Sequence, residues 1–258
     1  MRRLGLASRY ALGLARLRPR DVLVGSFPRS GSTYLRFLTA YAVAGEHAPA
    51  LDFAALNRRM PELGADALAD PAPLAGAPRV VKTHRPWTPL FGRPHAVWLV
   101  RAPLDALASY HRYWAARGDA GRLADAGAFL RDRRRGLPRW IRHTRSWAPR
   151  AAHTVRYADL QRDPAGTLRT WLDVLGVPAS DAAVASAVAR ARAARVRELP
   201  VTGSDTLAPD FAFARDAERG GGLRHFPAGD VAWAVGALRA AGLGTWADEI
   251  ASPPAPSR

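Results

Sequence analysis

The sequence predicts an α/β domain of three layers, αβα, around a central, mainly parallel sheet. Three observations lead there. Apolar runs of strand length recur along the chain, helical patterns lie between them, and 258 residues with 48% hydrophobic content can bury one sizeable core. A single domain over residues 1–250 is expected, with residues 251–258, ending SPPAPSR, as a disordered tail.

The elements follow in order. Residues 2–17 are basic, and Arg9 and Arg16 interrupt them before an apolar leader segment develops. They read as a helix packed on its own domain, with an amphipathic helix in peripheral contact with a membrane as the alternative. Asp21 to Ser26, Arg79 to Lys82, His95 to Val100 and His153 to Arg156 are the candidate strands, short and apolar as strands covered on both faces should be. Helices are predicted at Thr33 to Ala44, Leu104 to Arg117 and Pro164 to Leu175; Pro103 and the Asp163–Pro164 pair are good helix starts. Residues 45–78, rich in Ala and Pro, read as irregular with one helical turn near Phe53 to Asn57. Residues 118–150 combine Arg131, Arg133, Arg134 and Arg135 with Trp140 and Trp147, and read as helices over the ligand edge of the sheet. An Ala/Arg helix over 181–198, a glycine-containing loop over 199–222 and a closing helix over 229–241 complete the chain.

Composition narrows the function. Lys and Arg number 38 against 22 Asp and Glu, a formal charge of +16, so a polyanionic partner or substrate is expected. There is no cysteine, which excludes a disulfide framework, a thiolate metal site and a cysteine nucleophile. No window of about 18 to 20 uncharged apolar residues occurs, so no transmembrane segment is expected, and the cytoplasm is the expected compartment. Lys82 is the only lysine; every other basic residue among the 38 is arginine. A compact ammonium and a planar guanidinium do different chemistry, which makes this exception in VVKTH informative.

The stretch VLVGSFPRSGSTYLR, residues 22–36, has the outline of a phosphate-binding loop between a strand and a helix. In the ordinary nucleotide-binding version a lysine follows the last glycine and a hydroxyl then ligates magnesium. Here Ser32 and Thr33 follow Gly31, and the cation lies inside the loop as Arg29. The N–H groups that open the next helix still favour an anion. Such a loop suits a phosphate-like group that reacts without metal.

At this point the sequence resembles the sulfotransferases that use 3′-phosphoadenosine 5′-phosphosulfate (PAPS). SFPRSGSTYL resembles their loop for the 5′-phosphosulfate, and VVKTHRP their strand bearing the catalytic histidine. VWLVRAPLDALASYHRYW resembles the 3′-phosphate strand and helix, and VRYADLQRDPAGTL the later strand that brings a tyrosine toward adenine. The four stand in family order across residues 21–175. The resemblance implies the P-loop NTPase-like sulfotransferase fold, PAPS as sulfuryl donor and no metal.

Carried over residue by residue, it implies three catalytic groups. His84 is the general base on the acceptor, titrating near neutrality; Lys82 is a small charge beside the transferred group; Arg29 stands where many members have lysine and supports the leaving group. Ser30, Gly31, Ser32 and Thr33 would wrap the 5′-phosphate. Arg101 and Ser109 would grip the 3′-phosphate. Tyr34, in place of a frequent tryptophan, and Tyr157 would flank adenine. The family's closing RKGxxGDWK-like stretch is matched only by ERGGGLRHF, from which Arg219, Gly220 and Gly221 are the candidates, with Arg224 competing for the arginine's place.

The implied reaction is sulfuryl transfer to a hydroxyl or amine of a small-molecule or carbohydrate acceptor. Trp87, Trp140 and Trp147 are candidates for an aromatic wall of the acceptor pocket, and the nearby arginines for favouring an acidic acceptor. Two alternatives share the loop: a small-molecule kinase, which lacks its loop lysine and a well-placed magnesium carboxylate, and an inactive binding module for 3′-phosphoadenosine 5′-phosphate (PAP), against which the intact KTH speaks. Nucleic acid is not the expected partner, since no helix-turn-helix, zinc or RNA-binding motif accompanies the charge.

Overall fold

In the computed structural model, residues 5–45, 51–64, 76–92, 94–116, 121–192 and 220–252 are described. Four strands form one all-parallel sheet in the order β2-β1-β3-β4: β1 Val22–Ser26, β2 Val80–Thr83, β3 His95–Val100 and β4 His153–Arg156. Val22 faces Val80 on one side and His95 on the other, and Val97 faces His153. Every residue of β1 is buried, as expected of a central parallel strand covered on both faces.

Alternation along the strands divides the interior into two cores. Val22, Val24, Val80, Val97 and Leu99 face a layer made from α2 (Ser32–Ala44), α3 (Phe53–Arg59), α8 (Pro164–Leu175) and α9 (Asp181–Arg190). Leu23, Val81, Trp98 and Val100 face α4 (Pro103–Ala115), α5 (Ala126–Arg131), α6 (Leu137–Trp147) and two C-terminal helices, Ala228–Ala240 and Gly244–Ala251. This is the predicted three-layer αβα arrangement. Asp163 caps α8 by accepting from Gly166 N at 2.8 Å, and Asp52 caps α3 from Ala55 N at 2.6 Å.

Several boundaries differ from expectation. The turn near Phe53 is a helix of two turns, ending with Arg58 and Arg59 at its carboxyl end, where cations are favoured. Residue 157 begins α7 (Tyr157–Arg162) directly after β4, and Gly244–Ala251 adds a helix that the sequence reading lacks. The Ala/Arg helix stops at Arg190; residues 193–198, Arg219 and residues 253–258 lie outside the described residues. α1 (Leu6–Ala15) rests on the domain through Tyr10 and Leu14, which pack on the second core, and the Arg85 guanidinium covers the Tyr10 ring at 4.9 Å. Among the described residues no helix is long and apolar enough to cross a membrane.

Candidate active site

The carboxyl ends of all four strands open toward one edge of the sheet, where parallel α/β folds bind ligands. After β1 comes the loop Phe27–Gly31, after β2 His84, after β3 Arg101, and after β4 Tyr157.

The loop is built tightly. Ser30 N donates to Phe27 O at 3.2 Å. Among the described residues Arg29 is the only non-glycine with positive φ, at 66°, and Gly31 follows at 98°. A Cβ at Gly31 would meet the Tyr157 ring at 2.2 Å, so both its conformation and its neighbour require glycine. α2 then starts with no side-chain cap, leaving the amides of its first turn directed outward as an anion-binding end. The Ser30 hydroxyl is buried and has no hydrogen-bond partner.

Arg29 and Arg101 meet at this loop. Arg29 Nε donates to Ser109 Oγ at 3.2 Å and its guanidinium lies 5.5 Å from the Tyr113 ring. Arg101 donates from Nη1 to Arg29 O at 3.1 Å and lies 4.7 Å over the Tyr157 ring, while its Nε is buried without a partner. Burial, and then the Arg101 cation, push the Arg29 guanidinium down to about 10. Burial also lowers Arg101, against the opposing pull of Tyr157 and Asp105. Two cations held this close, with an orphaned hydroxyl and an orphaned guanidinium N–H, make a pocket for a multiply charged anion. Tyr34 is half-buried on the first core. Tyr157 lies between Gly31 and Arg101, so its ring is a wall of the loop.

His84 heads a second group. Its Nδ1 lies 2.8 Å from Ser26 O and 3.3 Å from Ser26 Oγ. A carbonyl oxygen can only accept, so Nδ1 carries the proton and Nε2 keeps its lone pair. Burial lowers His84 to about 4; Glu62 opposes this and Lys82 adds to it. The ring is therefore neutral near pH 7, with the Nε2 lone pair free to accept a proton. Lys82 Nζ pairs with Glu62 Oε2 at 2.7 Å. Burial would raise Glu62, but His84 and Lys82 together bring it to about 2. Residues 61–63 reach the pair by bridging β2: Lys82 N donates to Pro61 O at 2.9 Å and Leu63 N to Lys82 O at 2.8 Å. Ser32 and Lys82 line one small cavity. Thr33 is half-buried on the first turn of α2.

α6 closes the far side of His84. Trp147 is fully buried, its ring filling the space where a Cβ on Gly25 would stand at 2.1 Å, and its Nε1 donates to Arg85 O at 3.0 Å. Trp140 is also buried, edge-on to Trp246 at 5.4 Å. These two tryptophans are core rather than a pocket wall, because positions 140 and 147 fall on the inward stripe of the helix. His143, on the same stripe, is 1% exposed with both ring nitrogens unpartnered, and burial, with the positive fields of His84 and Arg139, lowers it to about 3.

The glycine-rich segment docks through its backbone. Gly220 N and Gly222 N donate to the Asp105 carboxylate at 3.1 and 2.7 Å, and a Cβ on Gly222 would strike the Leu104 backbone at 2.3 Å. Of the predicted residues, Gly220 is in this contact and Gly221 opens the helix Gly221–His225; the essential third glycine, Gly222, was missed. Arg224 is exposed. Glu62, His143 and Arg139 were also missed. Among the described residues no cluster of three or more His, Asp or Glu suits a metal.

Known proteins resemble this chain in sequence and in fold. The chain is 24% identical to human Sulfotransferase 2B1 over 245 residues, 88% of this chain and 66% of that protein. It is 30% identical to WSCD family member AAEL009094 of Aedes aegypti over 206 residues, 75% of this chain and 62% of that protein. It thus spans about two thirds of the length of these curated relatives. Among solved structures, retinol dehydratase in complex with androsterone and inactive cofactor PAP superposes with a TM-score of 0.65 at 18% identity, covering 97% of this chain and 88% of that one. Mouse sulfotransferase SULT7A1 with PAP gives 0.64 at 17% identity, covering 95% and 94%. The sulfotransferase domain model matches residues 19–230, and the chain belongs to that family.

Proposed function

We propose that this chain transfers a sulfuryl group from PAPS to a hydroxyl or amine of a small-molecule or carbohydrate acceptor, with His84 as general base. The observation that carries the reading is the His84 imidazole, fixed by Ser26 O in the tautomer whose Nε2 can take a proton.

The residues present fit the donor. Buried, unpartnered Ser30 Oγ and Arg101 Nε beside the Arg29 cation answer an anion, as do the uncapped amides of α2. Arg101 and Ser109 would hold the 3′-phosphate, and Arg29, Ser30, Gly31, Ser32 and Thr33 the 5′ side. Tyr34 and Tyr157 would border the adenine, and Gly220 and Gly221 the 3′ end. When bound, PAPS supplies a sulfuryl group whose sulfur–oxygen bond to PAP breaks as the acceptor oxygen bonds to sulfur, PAP leaving with the electron pair. His84 Nε2 takes the acceptor proton. Lys82, steered by Glu62, places a compact positive charge beside His84. Arg29 acts in this reading chiefly as an anion clamp, since its guanidinium is turned toward Ser109.

The test is turnover of purified protein with PAPS and with ATP over a panel of hydroxyl and amine acceptors, each with and without chelator, beside calorimetry with PAP. PAPS turnover that is indifferent to chelator is expected. Turnover with ATP alone, or PAP binding with no turnover across the panel, would replace this reading with a kinase or an inactive module.

A further inference from the structure

On α6, one turn before His143, Arg139 reaches the main-chain carbonyl of His84. Its Nη2 lies 3.4 Å from His84 O; its Nη1 lies 3.4 Å from both the Tyr110 hydroxyl and Arg134 O. The guanidinium sits 5.6 Å from the Phe27 ring. All these partners are neutral, and the hydrogen bonds are at the long limit. Among the described residues no carboxylate pairs with Arg139. Glu62 is engaged by Lys82, Asp230 by Arg131, and Asp132 by the backbone N–H groups of Arg134 and Arg135. His143 adds a buried imidazole whose two nitrogens lack partners. Of the two, the half-buried Arg139 guanidinium, without an anion and bonded to the carbonyl of the base, is the one that a ligand can reach and complete.

Resting on the sulfotransfer reading, we infer that the acceptor is anionic: a hydroxyl compound bearing a carboxylate, sulfate or phosphate within a sugar ring's breadth of the reacting oxygen. Arg139 grips that oxyanion while the hydroxyl lies at His84. The planar fork of an arginine suits such a group, whereas a neutral phenol or alcohol leaves it unanswered.

Matched pairs test this: glucuronate against glucuronamide, 4-hydroxybenzoate against 4-hydroxybenzamide, and glucose 6-sulfate against glucose. For each, kcat/KM with PAPS is measured, and binding to the PAP-saturated protein is followed by saturation-transfer NMR. The acid should exceed its neutral partner by at least about tenfold, mainly through KM, as a charge-assisted pair does. Arg139→Gln should bring the ratio to near one and Arg139→Lys should restore part of it. Arg142→Gln, on the exposed side of the same helix, should keep it. A wild-type ratio of one or below, a ratio unmoved by Arg139→Gln, or an equal collapse in Arg142→Gln overturns the inference. If Arg139→Gln does not fold, Arg139→Met keeps the aliphatic stem on Phe27 and reads the same ratio. If nothing is turned over, the sulfotransfer reading falls, and the NMR arm still decides on Arg139: tighter binding of acids by wild type than by the variant supports it, and equal binding refutes it.

Discussion

The two halves of the site are provided for differently. Around the phosphate loop the fold supplies most of the partners itself: Arg29 is bonded to Ser109, Arg101 to the Arg29 carbonyl, and Tyr157 fills the space that Gly31 leaves open, with Ser30 Oγ and Arg101 Nε left for the anion. On the far side of His84, Arg139 has only long contacts to neutral oxygens, and His143 has none. A ligand that is the same in every turnover favours a rigid, self-supported cradle. A half whose polar groups wait for partners is specific to whatever it receives, because a wrong ligand leaves them unpaired.

The largest effect that bears on this contrast is expected at the junction. His84→Ala should lower turnover by roughly 100-fold or more, with PAP affinity nearly intact by calorimetry; an equal loss of PAP affinity would place His84 in the donor half. Next, Arg101→Ala should weaken PAP by about 10- to 100-fold while adenosine 5′-phosphosulfate, which lacks the 3′-phosphate, loses little. Equal losses would show that Arg101 does not read the 3′ end. Gly31→Ala meets a positive φ and an occupied space together, and should cost about 1–3 kcal/mol in urea unfolding as well as PAP binding.

How far these halves were legible follows the same line. The strands ending at Ser26 and Val100 were placed from apolar runs, since a buried parallel strand has little other signature, whereas the edge strand His153–Arg156 buries only Val155 and does not have the apolar character expected of it. The donor residues were legible because the loop's backbone needs fix residue types at fixed spacing. Glu62 was not, because it reaches Lys82 through a bridge of two residues inside a stretch that reads as irregular. His143 was hidden on an inward stripe beside Trp140, where a histidine looks like packing. Which carboxylates leave Arg139 unanswered depends on contacts across the fold, and no periodicity carries that.

Smaller effects sharpen the acceptor half. His143 in the folded chain titrates at about 3, below its ordinary 6.5, so the unfolded chain takes the proton first as pH falls. Its contribution is complete above about pH 6.5 and is lost on acidification toward pH 3. His143→Phe, which removes the proton site, should therefore flatten the decline in stability between pH 7 and 4.5, by about 2 kcal/mol in urea titrations at the two pH values. An unchanged slope would place the acid sensitivity elsewhere. The smallest expected change is that of Glu62→Gln: its negative field raises His84, so removal should move the acid limb of the kcat/KM profile to lower pH, and a limb moving upward would reverse that assignment.

The tether between Asp105 and the amides of residues 220 and 222 recognises main chain, not side chains. Neighbouring positions in that stretch are thereby released to diverge among relatives without undocking it, provided position 222 stays bare and position 105 stays acidic. A departure from the family's closing stretch, such as ERGGGLRHF in this chain, is what an attachment blind to residue identity permits.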